Sequence, residues 1–157
     1  MPKFDIYFDG YSSPHKHNKA GWAVLIEKDG NPFFSIHHNL DPITTNNAAE
    51  LHGLINALRY GKAMMAGYEA SIPKSNTPVG HYKGLTIEIL GDNLLAVTLA
   101  LGMEHTNKPN LRVLARYAKM LFFSLWKLNH YVRIGWTPRD KNRAGIYIEY
   151  CRHMGEL

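Results

Sequence analysis

The chain begins with apolar segments of strand length and continues with segments in which apolar residues recur at helical spacing. This order limits the folds that the chain can adopt. Phe4, Ile6 and Phe8 alternate with polar residues, which predicts a strand with two different faces. Further along, Asp29-Gly30 is a strong hairpin signal between two more apolar segments. The opening of the chain is therefore predicted to form three antiparallel strands, over residues 3–9, 21–27 and 33–38.

After these strands, predicted helices and strands alternate. Leu51 and Leu54 belong to a helical pattern that follows the Thr and Asn residues at 44–47, which predicts a capped helix over residues 48–66. Residues 67–84 lack periodicity and predict a long loop. The remaining predictions are strands at 85–90 and 131–136, helices at 94–101, 111–128 and 143–153, and a polar turn at 137–142. The order βββαβαβα predicts an α/β fold, a five-stranded mixed sheet flanked by helices.

The composition is that of one compact domain spanning residues 1–157, because 157 residues of which 45% are hydrophobic can build one sizeable core. A formal net charge of +5 makes polyanions plausible partners. The single cysteine, Cys151, excludes an intramolecular disulfide framework and a Cys-rich zinc site. The longest apolar patch, at 121–126, is too short for a membrane span. A cytoplasmic protein without a membrane partner is expected.

Carboxylates stand where the predicted strands end. Asp9 closes the first strand, Asp92 follows the fourth, and Glu50 lies in the first turns of the intervening helix. A central sheet could bring the three together, but clustered carboxylates repel one another unless cations neutralise them. Hard oxygen ligands of this kind suit Mg²⁺ or Mn²⁺. Two such ions can activate water and stabilise the leaving oxygen in phosphodiester hydrolysis, so the pattern indicates a nuclease.

Three runs of residues resemble the first three catalytic blocks of ribonuclease H type 1, in the same order and with the same spacing. They are Asp9-Gly10, the run TTNNAAEL that contains Asn46, Asn47 and Glu50, and Asp92-Asn93. The TTNNAAEL run is the most specific of the three. The resemblance covers nearly the whole chain. It implies an RNase H-like fold and an endoribonuclease that hydrolyses the RNA strand of RNA/DNA hybrids by a two-metal-ion mechanism.

The resemblance also implies a catalytic and metal-binding set. Carried over residue by residue, Asp9, Glu50 and Asp92 become the catalytic residues and the ligands of two Mg²⁺ ions, for which Mn²⁺ could substitute. The RNA/DNA hybrid is the implied partner. A monomer is expected, and no protein partner can be inferred from the sequence.

A further set is implied to bind the substrate. Asn46 and Asn47 become candidates for groove contacts that include the 2′-OH, the group that distinguishes RNA from DNA. Both could equally serve as helix caps, and the two roles are compatible. Gly10, Asn93 and Arg139 complete this implied substrate-binding set.

The fourth block is where the chain departs from the family. The run WTPRDKN, ending at Asn142, resembles the family pattern x-x-P-R-E-x-N-x-x-A-D. With Asn142 on the motif Asn, Ile146 falls at the final Asp; if one residue is deleted, Gly145 falls there instead. Neither supplies an acid, and Asp140 and Glu149 are the nearby acids that could substitute. Loss of one ligand predicts reduced or Mn²⁺-favoured activity.

Two other functions remain open at this point. One is a catalytically weakened nucleic-acid-binding module of the same fold, and the other is a DNA nuclease of that fold. Retention of three acids favours the enzyme, because a pure binder has no physical need for mutually repelling carboxylates.

The second long helix carries a basic stripe that could follow a phosphate backbone, although such a stripe is often only the solvated side of a helix. Its residues are Arg112, Arg116, Lys119 and Lys127. Two tryptophans, Trp126 and Trp136, are expected in the core rather than as stacking platforms for bases.

Overall fold

The computed structural model describes residues 2–13, 19–42, 44–71, 84–126 and 130–157, and these ranges contain five strands and four α-helices. The strands are β1 (Lys3–Ser13), β2 (Lys19–Lys28), β3 (Asn31–Asn39), β4 (Thr86–Gly91) and β5 (Tyr131–Trp136). The helices are α1 (Asn46–Ser71), α2 (Leu94–Ala100), α3 (Pro109–Trp126) and α4 (Arg143–His153), with a 3₁₀ turn at Arg139–Lys141 before α4.

The strands form one mixed sheet in the order β3-β2-β1-β4-β5. β2 is antiparallel to both of its neighbours, β1 and β3, whereas β4 lies parallel to β1 and β5 lies parallel to β4. Asp29 and Gly30 both have positive φ, 51° and 82°, as a two-residue hairpin turn of type I′ requires. The predicted α/β fold with a five-stranded mixed sheet is therefore confirmed, and β1 lies at its centre.

Alternation along β1 divides the apolar core between the two faces of the sheet. Ile6 and Phe8 are buried on one face, in a large cluster with residues of α1 and α3. Tyr11 points to the other face and packs with Ala23 and with Ile148 of α4 in a smaller cluster. Each large apolar side chain that is fully buried contributes about 1.5–3 kcal/mol, so the large cluster is the main source of stability. β1 is thus held between α1 and α4.

β1 is longer than the predicted strand. It continues past Asp9 because β2 stays paired with it as far as Ser13 opposite Lys19. Pairing with β4 stops earlier, at Tyr7 opposite Leu90. The expectation that Asp9 closes the first strand is therefore wrong. Asp9 nevertheless lies just beyond the end of the parallel ladder, where its side chain is not covered by β4.

Two helix boundaries also differ from the predicted ones. α1 continues to Ser71 because Met65 and Tyr68 extend its contact with the core, so the expected loop over residues 67–84 starts too early. The remainder of that loop, 72–83, lies outside the described residues. α3 begins at Pro109, a residue suited to the first turn of a helix. Lys127, expected at the far end of α3, also lies outside the described residues.

Trp126 and Trp136 are not core residues, since 61% and 52% of their surfaces are exposed. Trp126 ends the described part of α3 and stacks on Phe123, with 6.1 Å between ring centroids. Trp136 ends the edge strand β5, where its indole N–H donates to the Asp92 carbonyl at 3.1 Å. The expectation of burial fails because both residues lie at the ends of their elements, where no other described element covers them. None of the described helices has the length and hydropathy needed to cross a membrane.

Candidate active site

The parallel pairing of β1 and β4 brings two carboxylates together. The ladder pairs Tyr7 with Leu90, and the same register continued by two residues sets Asp9 level with Asp92. Both side chains are partly exposed at this edge of the sheet. Parallel strands run in the same direction, so the end of β4 and the end of its pairing with β1 lie at the same edge of the sheet. Polar side chains that follow this pairing on the two strands therefore lie close together.

Glu50 lies near Asp9 and Asp92 because the backbone of α1 packs very closely against that of β1. A Cβ on Gly10 would lie 2.3 Å from the backbone N of Glu50, and one on Gly53 would lie 2.9 Å from the Asp9 carbonyl oxygen. Only glycine permits such an approach at these two positions. Thr45 starts the helix, since its hydroxyl accepts from the Ala48 N–H at 3.3 Å. The two glycines therefore seat the first turns of α1 against the strand that carries Asp9.

Asp9, Glu50 and Asp92 form a carboxylate cluster in which one oxygen from each side chain lies within 4.8 Å of the others. Glu50 is only 4% exposed, and its Oε2 is buried without a hydrogen-bond partner among the described residues. Burial raises the pKa of Asp9 to about 6; hydrogen bonding to Glu50 opposes this shift and the Asp92 charge adds to it. The pKa of Glu50 is raised above its ordinary value by more than that of Asp9. Burial is the largest cause, and the Asp9 charge is the next.

These features fit a divalent cation. The Glu50 Oε2 is an acceptor without a partner among the described residues, and it belongs to a cluster of three carboxylates, which are hard oxygen donors. Without a cation, the cluster is stabilised by retaining a proton, as the raised pKa values of Asp9 and Glu50 express. A cation can take the place of that proton, and Mg²⁺ or Mn²⁺ is the type of ion that this donor set prefers.

A cavity of about 430 Å³ opens beside the cluster. Its charged lining includes Arg139 and Arg152, whose guanidinium groups can attract phosphate. Arg139 also acts on the cluster itself, since its charge lowers the pKa of Asp9 against the larger effect of burial. Asn46 lies in the same lining and is exposed. The cavity therefore joins two of the three acids, Asp9 and Glu50, to basic and amide groups suited to a nucleic-acid backbone.

Three other residues implied to bind substrate are engaged in structural contacts. Asn93 caps α2, its Oδ1 accepting from the Ala96 N–H at 2.9 Å, and its Nδ2 donates to Oδ1 of Asn47 at 3.2 Å. This contact ties the start of α1 to the start of α2, on either side of the cluster. Gly10 lines the cavity but is buried beneath α1. The structure thus gives Gly10, Asn47 and Asn93 structural contacts, which leave a substrate role open.

The fourth acid of the family pattern has no counterpart in the cluster among the described residues. In the described part of the chain, no fourth carboxylate belongs to the cluster of Asp9, Glu50 and Asp92. Asp140 is exposed in the 3₁₀ turn and does not line the cavity. Glu149 does line the cavity but is exposed and forms an ion pair with Arg152 at 2.7 Å.

Gly145 of α4 packs directly against Asp9: a Cβ on Gly145 would lie 3.1 Å from Oδ2 of Asp9. Ile146 is exposed and lines the same cavity. Both residues that could occupy the position of the motif Asp therefore lie beside the site, and neither supplies an acid. Helical spacing then sets Glu149 on the same side of α4 as Gly145, one turn further along.

Asn142 holds α4 in this position, a role that the sequence reasoning missed. Its side chain is fully buried; Nδ2 donates to the Phe8 carbonyl at 3.0 Å and Oδ1 accepts from the Ala144 N–H at 3.1 Å. One amide thus caps α4 and bonds it to the strand residue that precedes Asp9. An Asn before a predicted helix is a capping signal, but no sequence signal identifies Phe8 as its partner.

Comparisons with known proteins agree with this geometry. Neither a protein-family model nor a curated protein matches the chain. Among solved structures, RNase H1 from the halophilic archaeon Halobacterium salinarum NRC-1 is 25% identical, with 92% of each chain covered and a TM-score of 0.67. LC11-RNase H1, isolated from compost by a metagenomic approach, is 26% identical, with 92% of this chain and 91% of that chain covered and a TM-score of 0.65.

A structure of LC11-RNase H1 in complex with an RNA/DNA hybrid is also similar, at 23% identity and a TM-score of 0.65, with 89% of this chain and 88% of that chain covered. All three likenesses extend over nearly the whole chain. Together with the sheet order and the carboxylate cluster, they give the chain the RNase H-like fold and support its assignment as a ribonuclease H of type 1.

Proposed function

We propose that the protein is a metal-dependent endoribonuclease that hydrolyses the RNA strand of RNA/DNA hybrids. The observation that carries the proposal is the convergence of Asp9, Glu50 and Asp92, with a buried and partnerless Glu50 Oε2, beside a cavity in an RNase H-like fold. Mutually repelling carboxylates are costly to hold at one place, and a nuclease has a use for them.

In this proposal each residue has a role set by its chemistry. Asp9, Glu50 and Asp92 hold two divalent cations, which when bound supply Lewis-acid stabilisation of charge on the phosphate. Arg139 attracts the phosphate backbone from the cavity wall. Asn46 offers an exposed amide that can bond to a 2′-OH in the minor groove. Gly10, Asn47 and Asn93 support the site by fixing α1 and α2 around it.

The hybrid is the substrate that the available likenesses favour. The LC11-RNase H1 structure that contains an RNA/DNA hybrid is 23% identical to this chain. The formal net charge of +5 suits a polyanionic ligand. A single domain over residues 1–157 would act as a monomer, and its one cysteine is compatible with the reducing cytoplasm.

The test is cleavage of a labelled RNA/DNA hybrid beside duplex DNA and duplex RNA, in Mg²⁺ and separately in Mn²⁺. We expect cleavage of the hybrid's RNA strand only. Asp92→Asn should lower the rate at least about 100-fold, since it removes a group that stabilises the transition-state charge through the cations. Asp29→Asn is the matched control: it also removes one carboxylate, but in the β2–β3 turn, where asparagine keeps the acceptor for the Lys3 N–H and tolerates positive φ.

A second candidate function is a catalytically weakened hybrid-binding module. The observation in its favour is that the residue of α4 that lies against Asp9 is Gly145, which adds no carboxylate to the three of the cluster. Absence of cleavage in both metals, with hybrid binding retained, would establish this module. Cleavage of duplex DNA in preference to the hybrid would instead establish a DNA nuclease on the same fold. Either result would contradict the proposed ribonuclease.

A further inference from the structure

A second cluster of metal-binding side chains lies at the other end of α4 from Asn142. The helix ends in a Schellman motif, in which the Glu156 N–H bonds to the Cys151 carbonyl at 2.8 Å and the Gly155 N–H bonds to the Arg152 carbonyl at 3.1 Å. Gly155 supplies the positive φ, 73°, that the motif needs. The turn folds the chain back on the helix, so the side chains of Cys151 and Glu156 come together.

His37 of the edge strand β3 completes the cluster. Because α4 packs against this side of the sheet, the His37 ring lies beside the Tyr147 ring, with 5.9 Å between centroids. Nδ1 of His37 is buried, and no described residue forms a hydrogen bond to it. A buried imidazole nitrogen without a partner is costly to leave unmatched, and a bound cation would satisfy it.

We propose that His37, Cys151 and Glu156 bind a Zn²⁺ ion. One ligand atom from each of the three lies within 4.8 Å of the other two, a separation that a small shift of the side chains converts to coordination of one ion. Imidazole nitrogen, thiolate and carboxylate are ligands that zinc accepts together, with a fourth tetrahedral position left for water. A thiolate and a carboxylate carry two negative charges, which neutralise the ion.

This site is distinct from the carboxylate cluster in position and in chemistry. It shares no residue with Asp9, Glu50 and Asp92, and its thiol selects a softer ion than three carboxylates do. The proposed zinc site also goes beyond the proposed nuclease function, because a bound ion would change the stability of the fold. The ion would join β3, α4 and the segment after α4, whose Leu157 packs with Tyr11 and Ile148. Bound zinc would therefore stabilise the attachment of α4 to the sheet.

Cobalt gives a direct test, because a Co²⁺–thiolate bond produces a charge-transfer absorption in the near ultraviolet and oxygen ligands do not. Cys151 is the only cysteine in the sequence, so the band reports on this site alone. The metal-free, reduced protein is titrated with Co²⁺ in excess Mg²⁺, which occupies hard-oxygen sites. We expect a band that saturates at one Co²⁺ per chain and disappears on addition of Zn²⁺.

The variants separate a three-ligand site from binding by a thiol alone. Cys151→Ser should abolish the band, whereas His37→Ala and Glu156→Gln should each weaken Co²⁺ binding about tenfold or more. His38→Ala is the matched control, since this neighbouring histidine is exposed and lies beside Trp22 on the other face of the strand. It should leave the titration unchanged.

Thermal unfolding supplies a second readout. Zn²⁺ at about 100 times its Kd should raise the Tm of the wild-type protein by about 5–10 °C and should not raise that of Cys151→Ser. If Cys151→Ser does not fold, Glu156→Gln, whose side chain is exposed, carries the comparison. The proposal is overturned if no band forms at stoichiometric Co²⁺, or if His37→Ala and Glu156→Gln bind Co²⁺ as tightly as the wild type.

Discussion

Gly145 of α4 faces Asp9 so closely that a Cβ on the glycine would lie 3.1 Å from Oδ2 of the carboxylate. An aspartate at this position would therefore direct a fourth carboxylate at the cluster of Asp9, Glu50 and Asp92. The Asp9 side chain would have to move by a few tenths of an ångström, which a carboxylate at a partly exposed position can do.

We expect Gly145→Asp to raise the affinity for Mn²⁺ about tenfold or more, equivalent to about 1.4 kcal/mol, because it adds a charged oxygen ligand. Gly145→Asn is the matched control, with the same size and no charge. Calorimetric titration of both metal-free variants with Mn²⁺ measures the difference. Equal affinities of the Asp and Asn variants would show that the position does not contribute to the metal site.

The stability of the metal-free protein should depend on pH through the carboxylate cluster. The pKa of Asp9 in the folded chain is raised to about 6 from its ordinary value of 3.8, and the pKa of Glu50 is also raised, so the folded chain binds more protons than the unfolded chain between these values. The stabilisation from protonation is complete below about pH 4 and is lost as pH rises through the folded pKa values, at about 1.4 kcal/mol per pH unit for each proton involved.

Glu50→Gln isolates this effect. The glutamine amide can still bond to the Asp9 carboxylate but carries no charge, so the variant should be more stable than the wild type at pH 8 in chelator. The difference should narrow as pH falls towards 4, and Mn²⁺ should stabilise the wild type more than the variant. Urea unfolding across this pH range provides the measurement. A stability difference that stays constant with pH would contradict the assigned role of the cluster charges.

Asn142 should be one of the most sensitive polar positions in the protein. Asn142→Ala removes the cap at Ala144 and leaves the buried Phe8 carbonyl without its side-chain donor, so a loss of about 2–4 kcal/mol in the free energy of unfolding is expected. Asn142→Ser keeps a capping oxygen but not the bond to Phe8. It should therefore fall between the wild type and the alanine variant in denaturant unfolding; equality with the wild type would show that the bond to Phe8 contributes nothing.

Gly10 should not tolerate even one methyl group. In Gly10→Ala the new Cβ would lie 2.3 Å from the backbone N of Glu50, and because the backbone cannot yield as a side chain does, α1 must shift away from β1. We expect a loss of about 1–3 kcal/mol in stability and weaker Mn²⁺ binding, since Glu50 moves with the helix.

Gly67→Ala is the control for this substitution. Gly67 lies in α1 itself, and a Cβ there would meet nothing within 4 Å, so alanine should stabilise the helix by up to about 1 kcal/mol. Thermal unfolding and Mn²⁺ titration of the two variants test the close approach of α1. Gly10→Ala with unchanged stability and Mn²⁺ affinity would contradict it.

Local sequence patterns were sufficient to predict the fold class and to identify the three acids of the cluster. Alternation in Phe4, Ile6 and Phe8 and helical spacing after Asn47 depend on neighbours within a few residues, and each such segment must bury its apolar face whatever the rest of the chain does. The predicted strand ends already favoured a meeting of Asp9, Glu50 and Asp92, and the resemblance to ribonuclease H type 1 added their expected role; the structure brings the three side chains together.

The sequence pattern gave wrong predictions where strand pairing or the end of an element determines the length of a strand or the burial of a side chain. Asp9 was expected to close its strand, but the antiparallel partner β2 extends β1 to Ser13. The sequence predicts Trp126 and Trp136 in the core, but each ends its element, and within the described part of the chain no other element covers it. These outcomes depend on which residues from distant parts of the chain lie opposite one another, and side-chain periodicity carries no information about that.

The sequence by itself determined the order of strands and helices and the identity of the acids, because hydrophobic periodicity and short motifs act locally. Only the tertiary structure decided that Gly145 faces Asp9, that Asn142 bonds to Phe8, and that His37 meets Cys151 and Glu156. These residues are separated by more than a hundred positions, and the packing of α4 against the sheet brings them within contact distance. A buried interface of this kind is set by the shapes of both surfaces together, so neither segment alone predicts it.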